Sequence, residues 1–394
     1  MKADKIPNEV ETTKKKLACL FILALGITLS GCGSVGGNDV SVSVDKIDFS
    51  SFSAEDKKLI ELNGTEAKVT TGNDEVDQAI NDRLAQETQD FLADADEVLT
   101  EAKTFHNEAA EDDEWAKQTV FADDLSVRNA YVSGDVLSII YEHYTYMGGA
   151  HGGSERYAYN FDLTDGHVMT WDEINSGDGD ALREMMHTHI VNSINGGKYS
   201  DYYFFDNYDE DLDRSMKDYN WYIGDGCLNV IYNQYEIAPY AAGIIEFKMS
   251  LGNIDNLFYE YKSPATTEGT LGINYTKDAD KPNIKLVCGS DETTEDGDTI
   301  LLTADKAVSN VKIYQVRHAY DFTLYDTGLI GYVNYLPDKA SIQLREMLIG
   351  TIPNIMVEYE VNGEKERYFV IQSGKDGSLS LVSPEDAGLS VEMQ

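Results

Sequence analysis

Apolar residues fall into two rhythms along this chain. Val76, Ile80, Leu84, Phe91, Ala95 and Val98 recur at steps of three, four and seven, the spacing that gathers side chains on one face of a helix. With Asn73 and Asp74 available as caps, a long amphipathic helix is predicted over 74–105, ended by the acidic stretch around Glu111 to Glu114. From Ser126 the rhythm becomes alternation. Val127 and Tyr131 precede Val136–Tyr146, rich in β-branched and aromatic residues, and Tyr157–Leu163 runs into Asp165-Gly166, a hairpin turn signal. A second helix carrying Leu182, Met185, Met186 and Ile190 is expected behind Asp178 or Asp180 as cap, ending near Asn195-Gly196-Gly197. The stretch Tyr199–Tyr222, dense in Tyr and Asp, reads as a surface excursion, and the strand pair Cys227–Tyr235 and Ile244–Leu251 closes the unit. These elements predict an α+β domain over 60–262, with helices packed on an antiparallel sheet. Residues 263–281 read as a linker. Beyond it, short strands with turns at Asp296-Gly297, Asn362-Gly363 and Asp376-Gly377 predict a small all-β, sandwich-like domain over 282–394, with one short helix at Ser341–Leu348.

The N-terminus adds a location. Lys2, Lys5 and Lys14–Lys16 precede an apolar or small run from Leu17 to Leu29, the layout of a secretory signal. The run is shorter than the roughly 20 apolar residues that a spanning helix needs. Leu29, Ser30, Gly31 and Cys32 then form a lipobox, so residues 1–31 are expected to leave as a signal peptide and Cys32 to carry the lipid of a bacterial lipoprotein. Two acyl chains anchor firmly where one is marginal, at about 0.8 kcal/mol per buried methylene. Residues 32–59 are expected as a tether and N-terminal segment, flexible at Gly33, Ser34, Gly36 and Gly37. The whole chain carries a net charge of −39, and residues 1–31 hold five Lys against three acidic residues, so the remainder is more negative still. Phosphate repulsion argues against a nucleic-acid partner; the charge favours cationic partners, divalent ions or plain solubility. Of the four Cys, Cys19 leaves with the signal and Cys32 is lipidated, so Cys227 and Cys288 alone build no disulfide framework.

Candidate chemistry is sparse. Gly148 and Gly149 between aromatic strands permit positive φ and close backbone approach, so Tyr146–Gly153 is expected as a tight, exposed connection with His151 near its tip. Such a loop can bind a ligand, or the His151 ring can simply serve a neighbouring backbone group. Tyr235, Pro239 and Tyr240, with Glu236 in the same turn, offer rigid amphipathic contact surface, although Tyr packs in cores equally often. His187 and His189 stand two apart on the predicted helix, point in different directions and make no metal pair. Asp209, Asp211 and Asp213 look like the start of a calcium loop, but Arg214 at the sixth position and Asn220 at the twelfth break the pattern. The chain has no Gly-Xaa-Ser-Xaa-Gly elbow, no His-Glu-Xaa-Xaa-His helix and no phosphate loop, so no catalytic residue, metal or cofactor is assigned.

The stretch YTYMGGAHG over Tyr144–Gly152 is followed by YNFDLTDGHVMTWDEI from Tyr159, and later by LNVIYNQYEIAPYAAGIIEF over Leu228–Phe247. In this order the motifs resemble the extracellular module of the RsiV family of lysozyme-sensing anti-sigma factors, also found ahead of the catalytic domain in PdaC deacetylases. The resemblance spans about 60–260 and implies a sensing or binding module for lysozyme, another cationic protein or a cell-wall component. About sixteen residues precede the apolar run, too few for the cytoplasmic sigma-binding segment of the anti-sigma members. Nothing in 263–394 resembles the metal-dependent domain of the deacetylases. The expectation is a lipid-anchored binding or sensing module of the cell envelope. The alternatives are a wall-acting hydrolase or deacetylase-like enzyme using His151 with Glu142, Glu155 or Glu236, and a purely structural envelope protein.

Overall fold

A computed structural model describes residues 39–175, 178–216, 220–254, 257, 267–276, 283–289, 299–318, 323–345, 348 and 351–392. The expected signal peptide and Cys32 lie outside them. The described residues begin with β1 (Ser41–Lys46) and β2 (Ile60–Thr70), then the helices α1 (Asp74–Glu108) and α2 (Glu114–Gln118), then the meander β3 (Phe121–Ser133), β4 (Val136–Tyr146) and β5 (Gly153–Asp162). Helices α3 (Gly179–Asn195) and α4 (Tyr208–Ser215) lead to β6 (Trp221–Gly224), β7 (Cys227–Tyr232) and β8 (Ile245–Ser250). Among the described residues, the elements that follow are nearly all strands: β9 (Leu271–Thr276), β10 (Asn283–Cys288), β11 (Thr299–Ala304), β12 (Val308–His318), β13 (Leu324–Leu336), β14 (Ala340–Leu344), β15 (Ile355–Val361), β16 (Glu364–Gln372) and β17 (Leu379–Val382), then α5 (Pro384–Ala387) and β18 (Val391–Glu392). The fold class is therefore α+β, with a C-terminal all-β region.

Among the described residues, an eleven-stranded sheet runs in the order β17-β16-β15-β12-β13-β1-β2-β3-β4-β5, with β18 beside β13. Its pairs are antiparallel except β2–β3 and β13–β18, and α1 makes the crossover that the parallel β2–β3 pair requires. Asn73 caps α1 by accepting from the Glu75 amide. The helix lays Val76, Ile80, Leu84, Phe91, Ala95, Val98, Leu99 and Ala102 against the sheet, each large side chain contributing about 1.5–3 kcal/mol of burial. Glu87 falls on that same stripe, and its carboxylate accepts from Tyr157 and Tyr159 hydroxyls at 2.5 Å each and from Arg83 at 3.0 Å. A buried carboxylate is tolerable only when paired in this way.

The run at the start of β4, Val136–Tyr141, is buried on both faces, which explains why its hydrophobic pattern is continuous rather than alternating. Leu137, Ile139 and Tyr141 meet the α1 core, while Val136 and Ile140 face the small sheet β6-β7-β8. Polar bonds fix that second contact: the Ser138 hydroxyl donates to Asn160 at 2.6 Å, and Asn160 donates to the Trp221 carbonyl at 2.8 Å. Asp178 caps α3 by accepting from the Ala181 amide, and Leu182, Met186 and Ile190 pack into the core of that small sheet.

Several expectations are corrected. The segment 32–59 contains β1, a strand enclosed between β13 and β2. Within the expected linker, Leu271–Thr276 pairs over its whole length with β11; its short alternation is masked in sequence by flanking Thr and Gly. Over 341–344 the expected helix is instead part of β14, which lies between β10 and β11, where strand pairing overrides local propensity. The described residues of 60–262 and 282–394 share one core rather than forming two separate domains. The residues from 37 onward form one compact unit, and one core cluster draws Tyr314, Leu329, Tyr332, Met356 and Phe369 together with Val42, Ile80 and Leu137. Buried polar links reinforce this continuity, Arg128 to Asp326 at 2.9 Å and Lys312 to Asn129 at 2.7 Å. A second core lies between the sheet β10-β14-β11-β9 and the opposite face of β12, β13 and β15. Cys227 and Cys288 do not pair with each other, and the Cys288 thiol meets the Gln343 carbonyl at 3.9 Å.

Candidate functional site

The two motif loops meet at the β5 edge of the large sheet. An edge strand presents unpaired backbone groups, and here side chains of the β7–β8 connection take them up. Asn233 accepts from the Arg156 amide at 2.7 Å and donates to the Arg156 carbonyl at 3.1 Å, while Gln234 accepts from the Ser154 amide at 2.9 Å. Glu236 closes the turn by accepting from the Asn233 amide at 2.7 Å and the Ser215 hydroxyl at 3.0 Å. Burial raises the Glu236 pKa against those hydrogen bonds. Tyr235 adopts a φ of 69°, a left-handed conformation costly for a bulky side chain, and the residue is 56% exposed.

On the other side, Gly148 has a φ of 74°, and a Cβ there would sit 2.8 Å from the Phe121 ring. A Cβ on Gly152 would lie 2.4 Å from the Tyr144 ring. Both positions therefore require glycine. The loop is held further by the Tyr146 hydroxyl, which donates to the Gly149 carbonyl at 3.0 Å. His151 stacks on Tyr240 with ring centroids 3.9 Å apart, and Tyr235 lies beside both. The His151 ring nitrogens meet the Gly152 carbonyl at 2.9 Å and the Tyr235 hydroxyl at 3.4 Å.

These loops roof an open cleft of about 520 Å³, lined by His151, Tyr235, Tyr240, Gln234 and residues 152–155, with half-buried His143 and Thr145 at its inner wall and exposed Asp94 at its rim. The inner wall follows from strand register. Asp123 lies opposite Thr145, and His143 opposite Glu155, so the alternation of β4 puts all four on one face. Asp94, one residue before buried Ala95 on α1, overhangs that face. Asp123 is fully buried; its Oδ1 accepts from His143 Nε2 at 2.7 Å and from the Thr145 hydroxyl at 3.1 Å. Asp123 Oδ2 has no hydrogen-bond partner among the described residues. Burial opposes the charged His143 ring, but the hydrogen bond and charge of Asp123, with Asp94 and Glu155, hold its pKa above the ordinary value. Desolvation raises the Asp94 pKa, and His143 works in the opposite direction.

Of the residues singled out from sequence, His151, Tyr235 and Tyr240 come together in the cleft. Tyr146, Gly148 and Gly149 shape the adjoining loop, Pro239 is exposed at the start of the 3-10 turn Tyr240–Ala242, and Glu236 braces the opposite loop. Glu142 is engaged by Arg156 at 2.5 Å. Asp94, Asp123, His143 and Thr145 were not identified by sequence reasoning; the alternation of β4 carried a signal only for the last two. Asp209 and Asp213 sit on α4 rather than in a calcium loop, and both face His187, at 2.7 and 3.0 Å. His189 meets the Lys248 carbonyl at 3.0 Å.

Residues 53–154 match the family model described as Deacetylase PdaC, and residues 180–252 match the model described as a protein of unknown function, DUF3298. The first segment supplies Asp94, Asp123, His143, Thr145 and His151; the second supplies Gln234, Tyr235 and Tyr240. Together the two matches support a PdaC-like family. A crystal structure of a DUF3298 family member from Bacteroides fragilis is 16% identical, with 57% of this chain and 96% of that chain covered and a TM-score of 0.40. A DUF3298 family protein from Pseudomonas aeruginosa is 15% identical, with 55% and 92% covered and a TM-score of 0.35. No curated protein matches.

Proposed function

We propose that this protein is a binding or sensing module of the bacterial cell envelope, anchored by lipid at Cys32, that docks a cationic protein on the two loops around His151 and Tyr240. The observation that carries this reading is the cleft itself: a partly exposed aromatic roof beside the exposed carboxylates of Asp94 and Glu155. Aromatic residues supply contact area at low entropy cost. The −39 net charge of the chain steers a basic partner toward it. Lysozyme is the partner that the RsiV resemblance implies, and it is cationic. The bonds of His151 to a carbonyl and to Tyr235, with Glu142 and Glu236 committed to Arg156, Ser215 and Asn233, favour docking over an acid–base role for this histidine.

The test is titration of the protein lacking residues 1–31 with lysozyme and with an unrelated basic protein of similar charge, at low and moderate salt. With a Debye length of about 8 Å at physiological ionic strength, purely electrostatic capture fades steeply as salt rises. Binding of lysozyme that persists at moderate salt and is lost in Tyr240→Ala supports the reading. Equal affinity for both proteins overturns it. For the anchor, Cys32→Ala should leave the protein unprocessed or shed into the medium, and normally processed, membrane-held protein would contradict the assignment.

A further inference from the structure

The inner wall of the cleft has a chemistry that docking on the roof does not use. Asp123 is completely buried with one oxygen unpartnered among the described residues, and the other accepts from His143 and Thr145, both of which line the cleft. Asp94 and Glu155 stand at the same opening, and Tyr240 and Tyr235 form its sides. An elongated side chain ending in a positive charge suits such a space: its methylenes lie along the tyrosine rings and its head reaches the carboxylates. A cationic head gains charge-assisted contacts with those carboxylates that a neutral group lacks, and an anionic group is repelled by them.

We propose that this cleft receives one protonated basic side chain, an ammonium or guanidinium, held at its rim by Asp94 and Glu155 and gated by the charge on His143. The identity of the donor as a basic protein rests on the docking reading above; the chemistry of the receptor does not. The groups around His143 are Asp123 from β3, Asp94 from α1, Glu155 from β5, and His151, Tyr235 and Tyr240 from the loops, while Asp124, on the opposite face of β3, acts on it only through its charge. A charged His143 ring repels a second cation, whereas the neutral ring can still donate Nε2–H to Asp123. Entry of the basic side chain therefore favours the neutral ring, and by linkage the two events oppose each other equally. One coupled proton limits the effect to about tenfold in affinity per pH unit.

The experiment uses the protein lacking residues 1–31, with Nα-acetyl-lysine amide as probe and Nα-acetyl-norleucine amide as its neutral counterpart. The His143 ring resonance, assigned by its loss in His143→Gln, is followed through a pH titration. Saturation with the lysine derivative is expected to move the His143 midpoint to lower pH, and the norleucine derivative should leave it in place. Affinity for the lysine derivative should fall at least about fivefold in Asp94→Asn, consistent with loss of a charge-assisted contact. An unmoved His143 midpoint, or equal binding of the two derivatives, overturns the proposal. Capture of lysozyme without any response to the lysine derivative overturns the receptor while leaving the docking face standing. A response to the lysine derivative without capture of any basic protein supports the receptor and removes the docking reading.

Discussion

Lys312 offers a direct measurement of how much one buried charge weighs on this fold. It is 3% exposed on β12, with Nζ 2.7 Å from Asn129 Oδ1 and 3.4 Å from the centre of the Tyr131 ring. Burial pushes its pKa down from 10.5 to about 7, against the pull of Asp225, Glu358 and Glu360. Between those two values the unfolded chain holds a proton on this lysine that the folded chain has given up. Stability of the wild type therefore rises with pH across the window, by up to about 1.4 kcal/mol per pH unit. From pH 7 to pH 9 the gain is about 2 kcal/mol, allowing for half-titration at the lower end. Below the window both states are protonated and the full burial penalty applies. Lys312→Met keeps the stem and removes the charge, and Asn129 Oδ1 still accepts from the Ala130 amide at 2.9 Å. The variant should be more stable than the wild type near and below pH 7, as apolar replacements of buried charges often are, and the advantage should shrink as pH rises. Urea midpoints for both proteins at half-unit steps from pH 6.5 to 9 would show the convergence; parallel curves would refute the reasoning.

Gly148→Ala must both accept positive φ and push on Phe121, so a loss of about 1–3 kcal/mol in unfolding free energy is expected, together with weaker partner binding. Glu87→Gln weakens a carboxylate that serves two tyrosine hydroxyls and Arg83; a loss of about 2–4 kcal/mol is expected by denaturant titration, and an unchanged midpoint would argue that the network is replaceable. Residues 60–262 expressed alone lack β1, β12 and β13, and with them much of the shared core, so they should show no cooperative thermal transition; a sharp transition would re-establish the domain boundary expected from sequence.

The local signals of this chain were legible where they were decided locally. The α1 stripe, its Asn73 cap and the Asp178 cap of α3 depend on residues a few positions apart. The loops carrying His151, Tyr235 and Tyr240 announced themselves through glycines and aromatics. Partners distant in sequence were not legible. Ser41–Lys46 looks like part of a tether because its neighbour β13 begins at Leu324. Asp94 is one acidic position among many on an exposed helix edge, and Asp123 and His143 look like the wet face of a strand until α1 and the loops cover them. The site was thus half visible: its roof in composition, its wall only in register.

The placement of β1 also sets a clock. Val40 bonds the Asn334 side chain across 294 residues, and Ser41 lies opposite Val333. At a synthesis rate of about 5–20 residues per second, roughly 15–60 s pass between the emergence of β1 and that of its partner. Throughout that interval one edge of β1 is unpaired, and open strand edges recruit other chains. A chaperone that shields the early strands fits this timing better than one acting on the finished protein. Fragments that stop short of β13 should aggregate or be degraded rather than persist as a shorter working module.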